Sequence, residues 1–137
     1  MFKILRNKKG VTLVELLAVV VILGIIAAIA VPTIGGLIAR QEQRAAEATY
    51  TTIEQAAITY ATSESASIFT LEDLESKDYI DLKDNTFSLL LTEGGTPVTS
   101  KANIYIKVVG STVSVHTTVA ATDAVFSFSI NGNLVFP

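Results

Sequence analysis

The sequence predicts an α+β chain in which a long bent N-terminal helix, membrane-spanning in its first half, packs on a small C-terminal antiparallel sheet of four to five strands. Three observations carry this. Every residue from Leu16 to Val31 is apolar or Gly, and no charge falls between Glu15 and Arg40. Apolar residues then recur at helical spacing beyond Pro32, and from Thr86 onward the period changes to two.

The N-terminal run comes first. A helix needs about 20 apolar residues to cross a hydrocarbon core of about 30 Å, and the interval from Glu15 to Arg40 is long enough. Lys3, Arg6, Lys8 and Lys9 precede it with no acid among them. Such a basic head marks the cytoplasmic side, which puts the C-terminal part outside. The formal charge of −3 becomes −7 once those four charges are set aside. An acidic remainder argues against general affinity for nucleic acid, which needs clustered Lys and Arg.

Three readings of this segment are open on composition alone. It is a secretory signal peptide cut after Ala28-Ile29-Ala30, a plain single-pass anchor, or a segment cut on the cytoplasmic side so that the apolar run stays in the product. Glu15 bears on the choice. A carboxylate at the centre of a membrane helix costs roughly 2.5–3.5 kcal/mol on insertion scales. A signal peptide or generic anchor gains nothing from it, whereas a helix packed against copies of itself can pair it with a neighbour's positive group. Glu15 could also stay hydrated near the cytoplasmic interface.

The run Lys8-Lys9-Gly10-Val11-Thr12-Leu13-Val14-Glu15-Leu16-Leu17 resembles the prepilin signal of type IV pilins and pseudopilins. That pattern is a basic leader ending in Gly, an apolar residue, Thr or Ser, two apolar residues, Glu and a long apolar helix. The resemblance implies cleavage after Gly10 and methylation of the new amino terminus at Val11, where the family more often has Phe or Met. It implies that Glu15, with Thr12 beside it, sets register by pairing with the N-terminal amine of an adjacent subunit. It also implies the partners: a prepilin peptidase that is the N-methyltransferase, an assembly ATPase, an inner-membrane platform protein, membrane lipid before assembly, and copies of the chain in a helical filament.

Residues 1–10 then form the leader, 11–39 the transmembrane and filament-core helix, and 40–137 the globular domain. Pro32 has no amide hydrogen and clashes with the carbonyl of Ala28, so a kink or local opening is expected there. Gly35 and Gly36 weaken the helix further, by about 1 kcal/mol each relative to Ala. Helical sequence resumes through Gln41–Thr62, giving about fifty residues and roughly 75 Å in all.

In the second half, Ile53, Ala56, Ala57 and Tyr60 form a stripe suited to lie on a sheet, with Ala45 and Ala48 extending it backwards. Arg44 and Glu47 are spaced for an exposed ion pair. Arg40, Glu42, Arg44 and Glu47 read either as a solvated face or as subunit contacts. Ser63–Ser67 ends the helix. Thr70 is a good N-cap for a turn or two reaching Ser76. Tyr79, Asp81 and Asp84 lie in a loop whose spacing makes no recognisable calcium site.

Thr86–Leu91 is one candidate strand. Ile104, Ile106 and Val108 alternate with Tyr105, Lys107 and Val109, as do Val113, Val115, Thr117 and Val119 with their neighbours. Gly110-Ser111 and Asn131-Gly132 are two-residue hairpin turns, the second joining Val125–Ile130 to Asn133–Phe136. Phe126, Phe128 and Ile130 make one apolar face. This architecture is also the pilin-like one that the resemblance implies.

Catalytic chemistry is thin. Cysteine is absent, and the single histidine, His116, alternates out of phase with Val113 and Val115 and is expected to face solvent. Gly94-Gly95 lacks the Lys-Ser/Thr of a phosphate loop. No cofactor, metal or enzyme activity is expected.

The function implied is a structural subunit of a bacterial surface filament. Adhesion, twitching motility, secretion and DNA uptake all use similar stems. A pseudopilin of a type II secretion or competence system is the alternative, although the chain has no Trp and no clear calcium loop. A membrane-anchored adhesin that does not polymerise is a further one.

Overall fold

A computed structural model describes residues 8–91, 95–118 and 127–135, with side chains from residue 12 onward. The chain divides into two compact units, Met1–Arg40 and Gln41–Pro137. One helix, α1, runs over Lys8–Glu64.

In the first unit α1 is built from Leu, Ile, Val and Ala, and it continues as α-helix through Pro32, Gly35 and Gly36. The Thr33 hydroxyl donates back to the Ala30 carbonyl at 2.8 Å, with the Ile29 carbonyl at 3.2 Å, so that turn keeps polar contacts despite the missing amide.

In the second unit α1 buries Ala46, Tyr50, Ile53, Ala57 and Tyr60, spaced alternately by four and three. The expected stripe from Ile53 to Tyr60 is present, with Ala56 at its margin. Its backward extension is not Ala45 and Ala48, which are exposed, but Tyr50 and Ala46. Counting back three and seven from Ile53 gives these two positions, and the large Tyr ring fills the space that small alanines would leave open.

After α1, the short strand β1 (Ile68–Thr70) leads directly into α2 (Leu71–Ser76). Thr70 caps α2 in both directions: its hydroxyl accepts from the Asp73 amide, and the Asp73 carboxylate accepts from the Thr70 amide at 2.8 Å. Leu71 and Leu74 are completely buried, each worth about 1.5–3 kcal/mol relative to exposure.

The strands make two three-stranded antiparallel sheets, not one of four to five. The remaining strands are β2 (Phe87–Leu90), β3 (Tyr105–Val109), β4 (Thr112–His116), β5 (Ser127–Ile130) and β6 (Asn133–Val135). One sheet has the order β1-β3-β4 and the other β2-β5-β6. The division arises because each hairpin takes a different third strand. The β3–β4 hairpin adds β1, with Phe69 opposite Ile106, and the β5–β6 hairpin adds β2, with Leu89 opposite Phe128. Three residues between a helix end and a helix cap are too few to show alternation, so β1 leaves no period-two signal.

Both turns are as the sequence predicts. Val109 pairs with Thr112 across Gly110-Ser111, where Gly110 has φ +63. Ile130 pairs with Asn133 across Asn131-Gly132, with φ of 51 and 81. Positive φ at both central residues is the type I′ geometry that Asn-Gly favours. Ile104, Ile106, Val108, Val113, Val115, Phe128 and Ile130 all point into the core. Val119, Phe126, Phe136 and Gly94 lie outside the described residues.

Each sheet has its own aromatic contact with α1. Tyr60 meets Phe69 of β1 at 4.4 Å between ring centroids, and Tyr50 meets Phe128 of β5 edge-on at 5.9 Å.

Candidate functional site

The N-terminal part of α1 has a surface unlike that of the second unit. Every large hydrophobic residue from Leu13 to Ile38 is between 49% and 69% exposed. Five in a row, Val19 to Leu23, cover the whole circumference at about 100° per residue. No side of this helix is a solvated face, so the segment needs lipid or other apolar helices all round. Among the described residues, α1 is the one helix long and apolar enough to cross a membrane.

The residues singled out by the sequence are placed as follows. Gly10 and Val11 fall within the first turns of α1, which starts at Lys8. The bond between them is therefore helical. Thr12 and Glu15 are three apart and exposed on one face of the helix. At Gly35 and Gly36, as at Gly24, an added Cβ would meet nothing within 4 Å. Among the described residues nothing requires glycine at those places.

At the start of the second unit the expected Arg44–Glu47 pair is not formed. Glu47 accepts a hydrogen bond from Gln43 Nε2 at 2.9 Å, and the same amide donates to the Leu134 carbonyl at 2.8 Å. Gln43 thereby covers an edge carbonyl of β6, a role that a polar residue on an exposed helix face does not announce in sequence. Among the described residues the ion pairs are Lys77–Glu64 and Lys101–Glu75. The Lys77 ammonium is raised above its ordinary pKa, first by its hydrogen bond to Glu64 and then by Tyr60, over whose ring it lies 5.1 Å from the centroid.

His116 is half-buried on the outer side of β4, not fully in solvent, because its Nε2 lies 2.9 Å from the Ser114 hydroxyl two residues back on the same face. In the loop after α2, the Asp81 carboxylate accepts from the Lys83 amide at 3.1 Å, an ordinary Asx turn. No group of three His, Asp or Glu placed to hold a metal occurs among the described residues.

The Tyr50 hydroxyl is buried without a hydrogen-bond partner. Burial, and next the Glu54 carboxylate, push its pKa up to about 12.

Residues 5–31 match the family described as the prokaryotic N-terminal methylation motif, the prepilin signal of type IV pilin-like and pseudopilin precursors. No curated protein and no solved structure matches the chain at a significant level. The motif and the apolar helix that follows it fit a membrane-anchored precursor of a structural subunit.

Proposed function

We propose that this chain is a pilin: the precursor of a structural subunit that is cut after Gly10, methylated at Val11, and polymerised through α1 into a type IV pilus-like surface filament. The observation that carries the reading is the methylation motif joined to a helix whose apolar side chains are exposed on every side.

The energetics of the transfer follow from that surface. In the membrane the stem is already out of water, so moving it into a filament gains packing contacts more than hydrophobic burial. The term that distinguishes the two environments is polar. Glu15 carries a cost in lipid of up to about 2.5–3.5 kcal/mol, which pairing with a positive group relieves. Cleavage after Gly10 creates such a group at Val11, and it creates it at the positive end of the helix dipole, where an ammonium is disfavoured unless a carboxylate lies close. Glu15 of one subunit and the methylated amine of the next answer both needs. Pro32, Gly35 and Gly36 let the stem bend where it leaves the bilayer.

The basic leader stays cytoplasmic, and the residues from about 40 onward stand outside. Prepilin peptidase, assembly ATPase and platform protein are the partners. A pseudopilin of a secretion or DNA-uptake system would share the processing, and a non-polymerising adhesin would share the anchor.

The test is the intact mass of the mature protein. A chain starting at Val11 and carrying one methyl supports the reading, and sheared surface filaments built of it separate a pilin from a pseudopilin or adhesin. A chain starting after Ala30, or one left uncut, overturns it.

A further inference from the structure

We infer that Asn131 is a modification site gated by the fold: its carboxamide is closed to spontaneous deamidation while the second unit is folded, and open to it once the β5–β6 hairpin parts from β2. The inference goes beyond the filament reading and holds whether or not the chain polymerises.

Asn131 is the one asparagine of the chain that is followed by glycine. In water the backbone nitrogen of the next residue attacks the side-chain carbonyl carbon, and a glycine there has no Cβ to obstruct the approach. A bond forms between the Gly132 nitrogen and Asn131 Cγ. The Cγ–Nδ2 bond breaks, and ammonia leaves with the proton of the Gly132 amide. Water then opens the five-membered succinimide to aspartate or, at its other carbonyl, to isoaspartate. Water is the sole co-reactant.

Both ends of that carboxamide are held in the folded chain. Oδ1 accepts from the Thr86 amide at 2.8 Å and from the Thr86 hydroxyl at 3.3 Å, and Nδ2 donates to Asn85 Oδ1 at 2.8 Å. The Asn131 amide donates in turn to the Thr86 carbonyl at 2.8 Å. Asn131 and Thr86 are thus joined by backbone and side chain at once, across 45 residues of sequence and immediately before β2. These bonds direct the side chain at the entry to β2, away from its own turn. Ring closure swings Cγ onto the Gly132 nitrogen, which breaks all three side-chain bonds. The folded chain therefore reacts at the rate of the open chain multiplied by the fraction of time it spends open.

The products differ in what they do to the site. Asn85 can turn its amide to meet an aspartate. Isoaspartate has no such remedy, since it adds a backbone methylene to a two-residue turn whose length sets the pairing of Ile130 with Asn133. A chain that has once been open long enough carries a covalent record of it and closes less well.

The full chain in detergent micelles, incubated at mildly alkaline pH, tests this. Mass spectrometry of the peptide spanning residues 131 and 132 reads conversion of amide to acid. The folded chain should convert at least about tenfold more slowly than the chain in concentrated guanidinium chloride. Through the unfolding transition the rate should rise in step with the unfolded fraction followed by circular dichroism. Asn85→Ala removes the acceptor of Nδ2, and it should raise the folded rate about threefold or more while leaving the denatured rate as it was.

A folded chain that converts as fast as the denatured one overturns the gate, as does a rate that stays flat through the transition. An Asn85→Ala chain that keeps its circular dichroism and converts no faster than the native chain overturns it too. If that variant fails to fold, the denaturant series on the native chain decides alone. None of these outcomes depends on filaments.

Discussion

Lys101 grips Glu75 through both carboxylate oxygens, at 2.9 and 3.1 Å from Nζ, and donates to the Leu82 carbonyl at 2.9 Å with the same ammonium. Three segments meet there: α2, the loop after it, and the 3₁₀ turn Lys101–Asn103 that feeds β3. The two side chains are only 22% and 19% exposed, so solvent screening is limited. Lys101→Met should leave Glu75 half-buried and unpaired, lowering the stability of the second unit by about 1–3 kcal/mol. Denaturant titration followed by circular dichroism reads this directly. An unchanged midpoint would make the pair a surface ornament.

Asp78 occupies a position where glycine is the better residue. It follows α2 with φ 59, its amide bonds to the Glu75 carbonyl at 3.1 Å, and the Tyr79 amide bonds to the Leu74 carbonyl at 3.0 Å. This is the Schellman ending, whose left-handed residue is usually Gly. Asp78→Gly relieves the conformation but adds freedom to the unfolded chain. The balance expected is a gain of about 0.5 kcal/mol, seen as a small rise in the thermal midpoint. Gly132→Ala, at φ 81, should instead lower stability by about 1 kcal/mol or more.

Much of this head could be read from the sequence because its signals are local. Asn131-Gly132 and Gly110-Ser111 fix two hairpins through backbone conformation alone, and Thr70 with Asp73 announces a helix start. The split into two sheets could not be read, since β1 is three residues long and its pairing with β3 joins positions nearly forty apart in the chain. The phase error at Ala45 and Ala48 has a different origin. Alanine suits either face of a helix, and only the tyrosine at position 50, with Phe128 against it, identifies the buried one. In the N-terminal segment the positions of Glu15, Pro32 and the glycines were legible. The pairing implied for Glu15 is a contact between chains, which no local signal in a single sequence encodes.

Tyr50 gives the second unit an alkaline limit. Its pKa of about 12 in the folded state lies above the ordinary value of 10. Below pH 10 both states keep the proton and the term is constant. Between about 10 and 12 the unfolded chain ionises first, so stability falls as pH rises through that window, by on the order of 1–3 kcal/mol. Tyr50→Phe should abolish this fall and the late phase of the phenolate absorbance titration. It also removes a buried hydroxyl that has no partner, so at neutral pH it should be neutral or stabilising by about 1 kcal/mol. A clear loss of stability at neutral pH would mean that the hydroxyl has a bound water or other partner.

Glu15→Ala separates assembly from anchoring. Removing the carboxylate relieves the membrane form of a cost of up to about 2.5–3.5 kcal/mol, so the substituted chain should insert and remain in the bilayer at least as well. The same change takes away the group proposed to pair with the methylated amine. Both effects push the equilibrium toward free subunits in the membrane. Sheared filaments should fall to background, while the membrane fraction holds a chain of mature mass beginning at Val11. Glu15→Asp, one methylene shorter, should recover part of the yield, and Glu15→Gln, which keeps the size but not the charge, should recover much less. If Glu15→Ala assembles as well as the native chain, the carboxylate is a hydrated interfacial residue, and register must come from packing of the apolar stems alone.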